Sequence, residues 1–120
     1  MTIPQRDDAL LATARALLLE QARQLSGVQK YQVLMICNAM GIAEREQALG
    51  EQVRHDIEQA IGAFYRQAGL PESPADEDRL CDDLRSGAID AAAHDRALLA
   101  LFDRVARCRL AIDNPRHLER

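Results

Sequence analysis

The chain has 120 residues, 48% of them hydrophobic and 28% charged, with a net charge of −4; this is the balance of a folded globular protein and not of a disordered one. Aromatic residues make up only 3% and Trp is absent, so the core must come from Leu, Ala, Ile, Val and Met, a set that leans towards helix. No basic stripe with interleaved aromatics is present, which excludes nucleic acid as an expected partner.

The three cysteines, Cys37, Cys81 and Cys108, form no CxxC pair and are odd in number. They read as free thiols in a reducing compartment, two of which can still pair on oxidation. The opening MTIPQRDDAL lacks the charged-then-apolar plan of a signal peptide, and no apolar run reaches the roughly 20 residues that span a bilayer. The expected location is the cytoplasm, with no membrane partner. The length suits one helical domain over residues 1–120, with 113–120 as a C-terminal tail.

In chain order, Leu10, Leu11, Ala14, Leu17, Leu18 and Leu25 recur at three- and four-residue steps and predict a first helix, opened by Asp7 and Asp8 and stopped at Gly27. The run VQKYQVLMICNAMGIAEREQALG predicts a second. It is apolar nearly all round from Val33 to Ala43, which predicts a central, buried position. A third helix places Val53, Ile57, Ile61 and Phe64 on one stripe and stops at Gly69, with Pro71 beyond. A fourth is expected to be capped by Ser73, with Pro74 in its first position and Asp76 returning a capping bond; Leu80, Cys81 and Leu84 face inward and Gly87 ends it. Asp90 caps a fifth, of about 22 residues, whose stripe is Leu98, Leu101, Phe102, Val105 and Ile112. Pro115 stops it near Asp113, with Asn114 serving nearby backbone groups and Leu118 folding back on apolar surface. The expected fold is an all-α bundle of about five helices.

Charge is unevenly distributed. Six carboxylates face one arginine between residues 72 and 83, whereas five arginines face two acids between 104 and 120. Matching of acids to helix starts and bases to helix ends accounts for part of this. His55, His94 and His117 lie on separate segments without a one-turn ligand spacing, so no metal site is expected. No glycine-rich phosphate loop or nucleophile elbow occurs, and Glu44 and Glu46 point to different sides of a helix, so no catalytic residue is assigned.

Two polar placements stand out. Asn38, Gly41, Ile42 and Arg45 share a stripe within the most apolar helix. The plain expectation is that Asn38 serves a backbone group and Arg45 pairs with an acid; the alternative is a contact with another chain. Arg109 shares the expected inward side of the last helix with Phe102, Val105 and Ile112, where a snorkelling side chain is the plain reading.

The stretches CNAMGIAEREQALG, LCDDLRSGAID and RLAIDNPRHL, in this order and spacing, resemble a family of small helical bacterial proteins of unassigned function. Its members are typically encoded beside aminoglycoside-phosphotransferase-like kinases and acyl-CoA dehydrogenases, and the small subunit of the 4-hydroxyacyl-CoA kinase of levulinate catabolism looks like one of them. The shared pattern falls on Asn38, Arg45, Glu46, Leu49 and Gly50, on Leu80, Arg85, Gly87 and Asp90, and on Leu110, Ile112, Asn114, Pro115, Arg116 and Leu118. Arg109 stands where Lys is common, His117 where Tyr is common and Leu34 where Arg is expected. The resemblance implies a non-catalytic accessory subunit of a kinase that phosphorylates a hydroxyacyl-CoA, with ATP and magnesium on the kinase and no cofactor of its own. Partner contact is then expected at Asn38, Arg45, Arg109, Asn114, Arg116 and His117. Two other readings fit the residues: a stand-alone acyl-CoA or small-ligand binder in which Arg45, Arg109 and Arg116 hold phosphate or carboxylate groups, and a homodimer that buries an apolar stripe against its twin.

Overall fold

A computed structural model describes the backbone of residues 3–119 and the side chains of residues 9–119. Four α-helices and a closing 3-10 turn make up the described residues: α1 (Ile3–Ala22), α2 (Gly27–Gln67), α3 (Glu77–Ser86), α4 (Asp95–Asp113) and the turn Pro115–Glu119. There is no strand among them. The chain forms two compact units, residues 1–50 with 112–114, and residues 51–111 with 115–120.

The fold is all-α as expected, with four helices in place of five because the second and third expected helices are one. α2 runs 41 residues through Gly50 without a break. A lone glycine inside a helix costs only about 1 kcal/mol relative to alanine, and nothing after Gly50 stops the chain: Glu51 and Gln52 are ordinary helix formers. Gly50 keeps a negative φ, whereas Gly27, Gly69 and Gly87 take positive φ. Gly50→Ala is therefore expected to raise stability by about 0.5–1 kcal/mol. The three atoms nearest a Cβ there all belong to the Glu46 side chain, with its Oε1 at 2.7 Å, and that exposed carboxylate can swing aside. Urea unfolding checks the sign, and a loss of stability would show that the Glu46 side chain does not give way to the added methyl group.

Other ends differ from expectation in instructive ways. α1 begins at Ile3, ahead of Asp7 and Asp8, whose side chains lie outside the described residues. It ends at Ala22, and Gly27, at φ +61°, opens α2 instead of closing α1. α2 closes after Gln67 with paired backbone bonds, Leu70 N–H to Tyr65 O at 2.9 Å and Gly69 N–H to Arg66 O at 3.1 Å. This terminal motif needs the left-handed Gly69, at φ +76°. Arg66 then clasps Glu72 across the following loop at 2.7 Å, which holds the Glu72 carboxyl below its ordinary range.

Asp76, not Ser73, caps α3: its Oδ1 accepts the Arg79 N–H at 2.8 Å. Gly87 ends α3 in left-handed geometry as expected. The Asp90 side chain accepts from Ala92 N–H at 3.0 Å, yet residues 91–94 form turns and α4 starts only at Asp95. α4 stops at Asp113, where Pro115 forbids continuation.

The core of the second unit joins Ile57, Ile61, Phe64 and Tyr65 of α2 to Leu80 of α3, Ile89 of the connection, and Leu98, Leu101 and Val105 of α4. Cys81 and Phe102, both expected inward, are exposed. α3 has room to bury one stripe, and Leu80 with Leu84 fills it. In α4 the buried line is Leu98, Leu101 and Val105, and Phe102, one residue past Leu101, is rotated about 100° off it.

Candidate functional site

In the first unit, α2 presents Val33, Cys37, Met40, Gly41 and Glu44, at three- and four-residue steps, as its covered side. α1 answers with Leu11, Arg15, Leu18 and Ala22. Arg15 Nε donates to the Cys37 carbonyl at 3.0 Å, and Arg45 Nε donates to the Ile112 carbonyl at 2.5 Å. Both guanidinium groups lie over Gly41: a Cβ built on it stands 3.3 Å from Arg15 Nε and 3.3 Å from Arg45 Nη1. The glycine lets two long cations lie flat on the helix and reach backbone carbonyls. Cys37 is buried and free. Glu44 Oε1 is buried without a hydrogen-bond partner among the described residues.

The opposite side of α2 carries the main surprise. Val28, Tyr31, Leu34, Met35 and Ile36 are 71%, 64%, 42%, 53% and 52% exposed. The expectation that this apolar run is central and buried is thus corrected: among the described residues of the first unit, α1 covers one side and nothing covers the other. Asn38 lies exposed within this outer stripe.

The second unit holds a polar cluster instead. The hydroxyl of Tyr65, wholly buried, donates to Asp83 Oδ2 at 2.7 Å. The Arg79 guanidinium sits 3.8 Å over the Tyr65 ring and 3.4 Å from the same Asp83 oxygen. Burial, and then the hydrogen bond to Asp83, push the Tyr65 hydroxyl well above the ordinary phenol range. This network ties α2 to α3, and its three polar groups are engaged with one another. His94 stacks edge-on against Phe64 at 5.9 Å. Between α2 and α4 runs an open groove of about 340 Å³, lined largely by Ala60, Ala63, Ala97 and Ala100, with Gln59 and Arg104 at its margin.

The expected contact residues are placed as follows. Arg45 is half-buried and bonded to a backbone carbonyl, not to an acid. That bond ties it to the segment Ile112–Asn114 of its own unit, in which Asn114 is exposed. Arg109 is exposed and paired with Glu77 of α3, so it does not point inward with Val105 and Ile112. Arg116 and His117 are exposed neighbours on the 3-10 turn, and Leu118 is half-buried as expected. Within the first unit the structure joins Arg45 to the Asn114 segment; within the second, Arg116 and His117 share one turn while Arg109 is engaged elsewhere. Reading the sequence missed Arg15, Tyr31 and Met35. A usable signal existed for the last two, because no charged residue occurs from Tyr31 to Ala43 and apolar residues recur every seventh position at Val28, Met35, Ile42 and Leu49.

Among the described residues, no group of three or more His, Cys, Asp or Glu side chains is placed to hold a metal ion, and no helix is long and apolar enough to cross a membrane. Comparison with curated proteins and with solved structures finds no match. A family model, described as a domain of unknown function (DUF6285), matches residues 23–117. That span takes in α2, α3, α4 and most of the closing turn, which places both the outer stripe of α2 and the Asn114–His117 segment inside the family's common region, and the chain belongs to the DUF6285 family.

Proposed function

We propose that the protein is a non-catalytic accessory subunit that docks on a phosphotransferase-type kinase and supports phosphorylation of a hydroxyacyl-CoA in short-chain acid catabolism, with ATP and magnesium held by the kinase. The observation that carries this reading is the closing turn. Pro115 ends α4 and starts a 3-10 segment on which Arg116 and His117 stand exposed. A proline-stopped turn presents such side chains in a defined geometry without spending core residues on them, and an arginine so placed suits planar recognition of a carboxylate or a phosphate on another molecule. The kinase and its acyl-CoA substrate come from the sequence resemblance.

The reading as a stand-alone acyl-CoA binder needs guanidinium groups of Arg45, Arg109 and Arg116 that converge on one ligand. Arg109 is paired with Glu77 and Arg45 bonds the Ile112 carbonyl, which leaves Arg116 as the exposed arginine of the three without such a bond among the described residues; a single surface arginine suits a protein contact better than a ligand pocket, and this favours the accessory role.

The double variant Arg116→Ala/His117→Ala is expected to lower stimulation of the partner kinase at least about 5-fold while shifting the melting temperature by less than about 2 °C, since exposed side chains away from caps and cores contribute little to stability. Co-purification and steady-state kinase assays with and without this protein provide the measurement. A kinase that turns over equally well alone refutes the accessory role, and equal loss of stability and stimulation makes the turn purely structural.

A further inference from the structure

The outer stripe of α2 in the first unit has a period as well as a composition. Val28, Met35, Ile42 and Leu49 are seven apart, and Tyr31, Asn38 and Arg45 each follow the first three of them by three. Alternating steps of three and four are the spacing of a coiled-coil seam. The covered residues Val33, Cys37 and Met40 lie on the other side of the helix, so the seam and the packing against α1 do not compete. At Arg45 the seam is diverted, because its guanidinium bonds the Ile112 carbonyl. The open part therefore runs from Val28 to Asn38, about three turns or roughly 16 Å.

The unit has little else to hold it together. Among the described residues of that unit, its buried hydrophobic side chains are Ala22, Cys37 and Ile112, while the larger Val28, Tyr31, Leu34, Met35 and Ile36 stand in water. A solvated helix face normally carries charge; this one carries none from Tyr31 to Ala43, and loss of charge is the compositional mark of an interface centre.

We propose that this face is covered by a second copy of the same chain, the two α2 helices running parallel so that Val28, Tyr31, Met35 and Asn38 each meet their own counterpart. Asn38 selects this occupant. An amide offers donors and an acceptor together, so two Asn38 side chains satisfy one another across a two-fold axis. A lone asparagine in an apolar seam also fixes register, at some loss of affinity. The face has no charge with which to select an acidic or basic partner. Its area fits a weak association: Val28, Tyr31, Leu34 and Met35, exposed to this degree, present on the order of 400 Å² per copy, hence about 800 Å² for the pair, at the small end of the range, where weak, transient contacts lie. A contact of this size is expected to be weak and reversible. The proposal does not rest on the kinase reading.

Sedimentation equilibrium of the full chain from about 1 to 200 µM tests it without any other protein present. Wild type is expected to fit a monomer–dimer equilibrium with Kd on the order of 10 µM. Met35→Glu sets two carboxylates face to face in the seam and is expected to raise Kd at least about 100-fold. Met35 is already half exposed in the single chain, so the melting temperature of this variant at 1 µM, where both proteins are monomers, is expected to match wild type within about 2 °C. Asn38→Asp is expected to weaken the dimer about 10-fold at pH 7, because two like charges replace a complementary pair. Monomer mass throughout the concentration range overturns the proposal. So does a dimer indifferent to both substitutions, which places the interface elsewhere. If Met35→Glu abolishes kinase binding in a chain that is monomeric alone, the face belongs to the kinase and the proposal fails while the accessory role stands.

Discussion

Ile61→Ala is expected to destabilise the second unit by about 3 kcal/mol, because a wholly buried branched side chain at the centre of its core leaves a cavity as well as losing its transfer energy. Ile61 lies on the α2 stripe between Ile57 and Phe64 and belongs to the cluster that includes residues of α3 and α4. Each of those helices packs on the same patch, so no single one can move in to close the gap without giving up contacts of its own. The comparison is Leu99→Ala on the outside of α4, where the side chain is 68% exposed and the expected change is within about 0.5 kcal/mol. Urea unfolding followed by far-UV circular dichroism measures both. If the two variants unfold at the same denaturant concentration, the assignment of the core to the inner stripes is wrong.

Asp83→Ala is expected to cost about 2–3 kcal/mol, although Asp83 itself is only half-buried. The cost arises at Tyr65, whose hydroxyl loses its acceptor in a site closed to water, and at Arg79, which is left over the ring without its carboxylate. Asp83→Asn keeps an acceptor and is expected to cost about half as much. Adding Tyr65→Phe to Asp83→Ala removes the orphaned hydroxyl, so the double variant should be less unstable than the two single losses combined. The same cluster makes stability depend on alkaline pH. Burial and the bond to Asp83 raise the pKa of the folded Tyr65 above that of the unfolded chain. Its contribution is therefore fully present below about pH 10, the unfolded phenol value, and is lost as pH rises beyond it. In a Tyr31→Phe background, phenolate absorbance is expected to appear only together with loss of helix. Phenolate forming while the helices stay intact would show that Tyr65 is open to solvent.

These outcomes bear on how far the fold was legible beforehand. The stripe Ile57, Ile61 and Phe64 and the stops at Gly69, Gly87 and Pro115 were readable because each rests on local geometry: helical periodicity, left-handed backbone, or a missing N–H. The break at Gly50 was misread because a glycine without a following stop is merely a weak helix residue, and propensity does not end a helix whose neighbours on both sides favour it. Ser73 and Asp76 were both plausible caps by chemistry, and the choice between them depended on which one had helical backbone three residues ahead of it.

The candidate contact residues were legible only as residue types. Asn38 and Arg45 share a stripe in the sequence, yet one stands in water and the other lies on the helix surface against Ile112. Arg109 had the spacing of an inward residue and instead faces outward to Glu77 of α3, 32 residues away in the chain. No pattern local to α4 contains that information.

The amino-acid sequence by itself determined that this protein is helical, where most of its helices end, and which stripe of α2 and α4 is apolar, since these follow from backbone geometry and from the period of side chains around a helix. Only the tertiary structure decided which apolar residues are covered. Burial depends on what lies opposite, and a run that is apolar all round says nothing about how many of its sides find a neighbour. In α2 one side found α1, and the other, from Val28 to Asn38, finds no neighbour among the described residues.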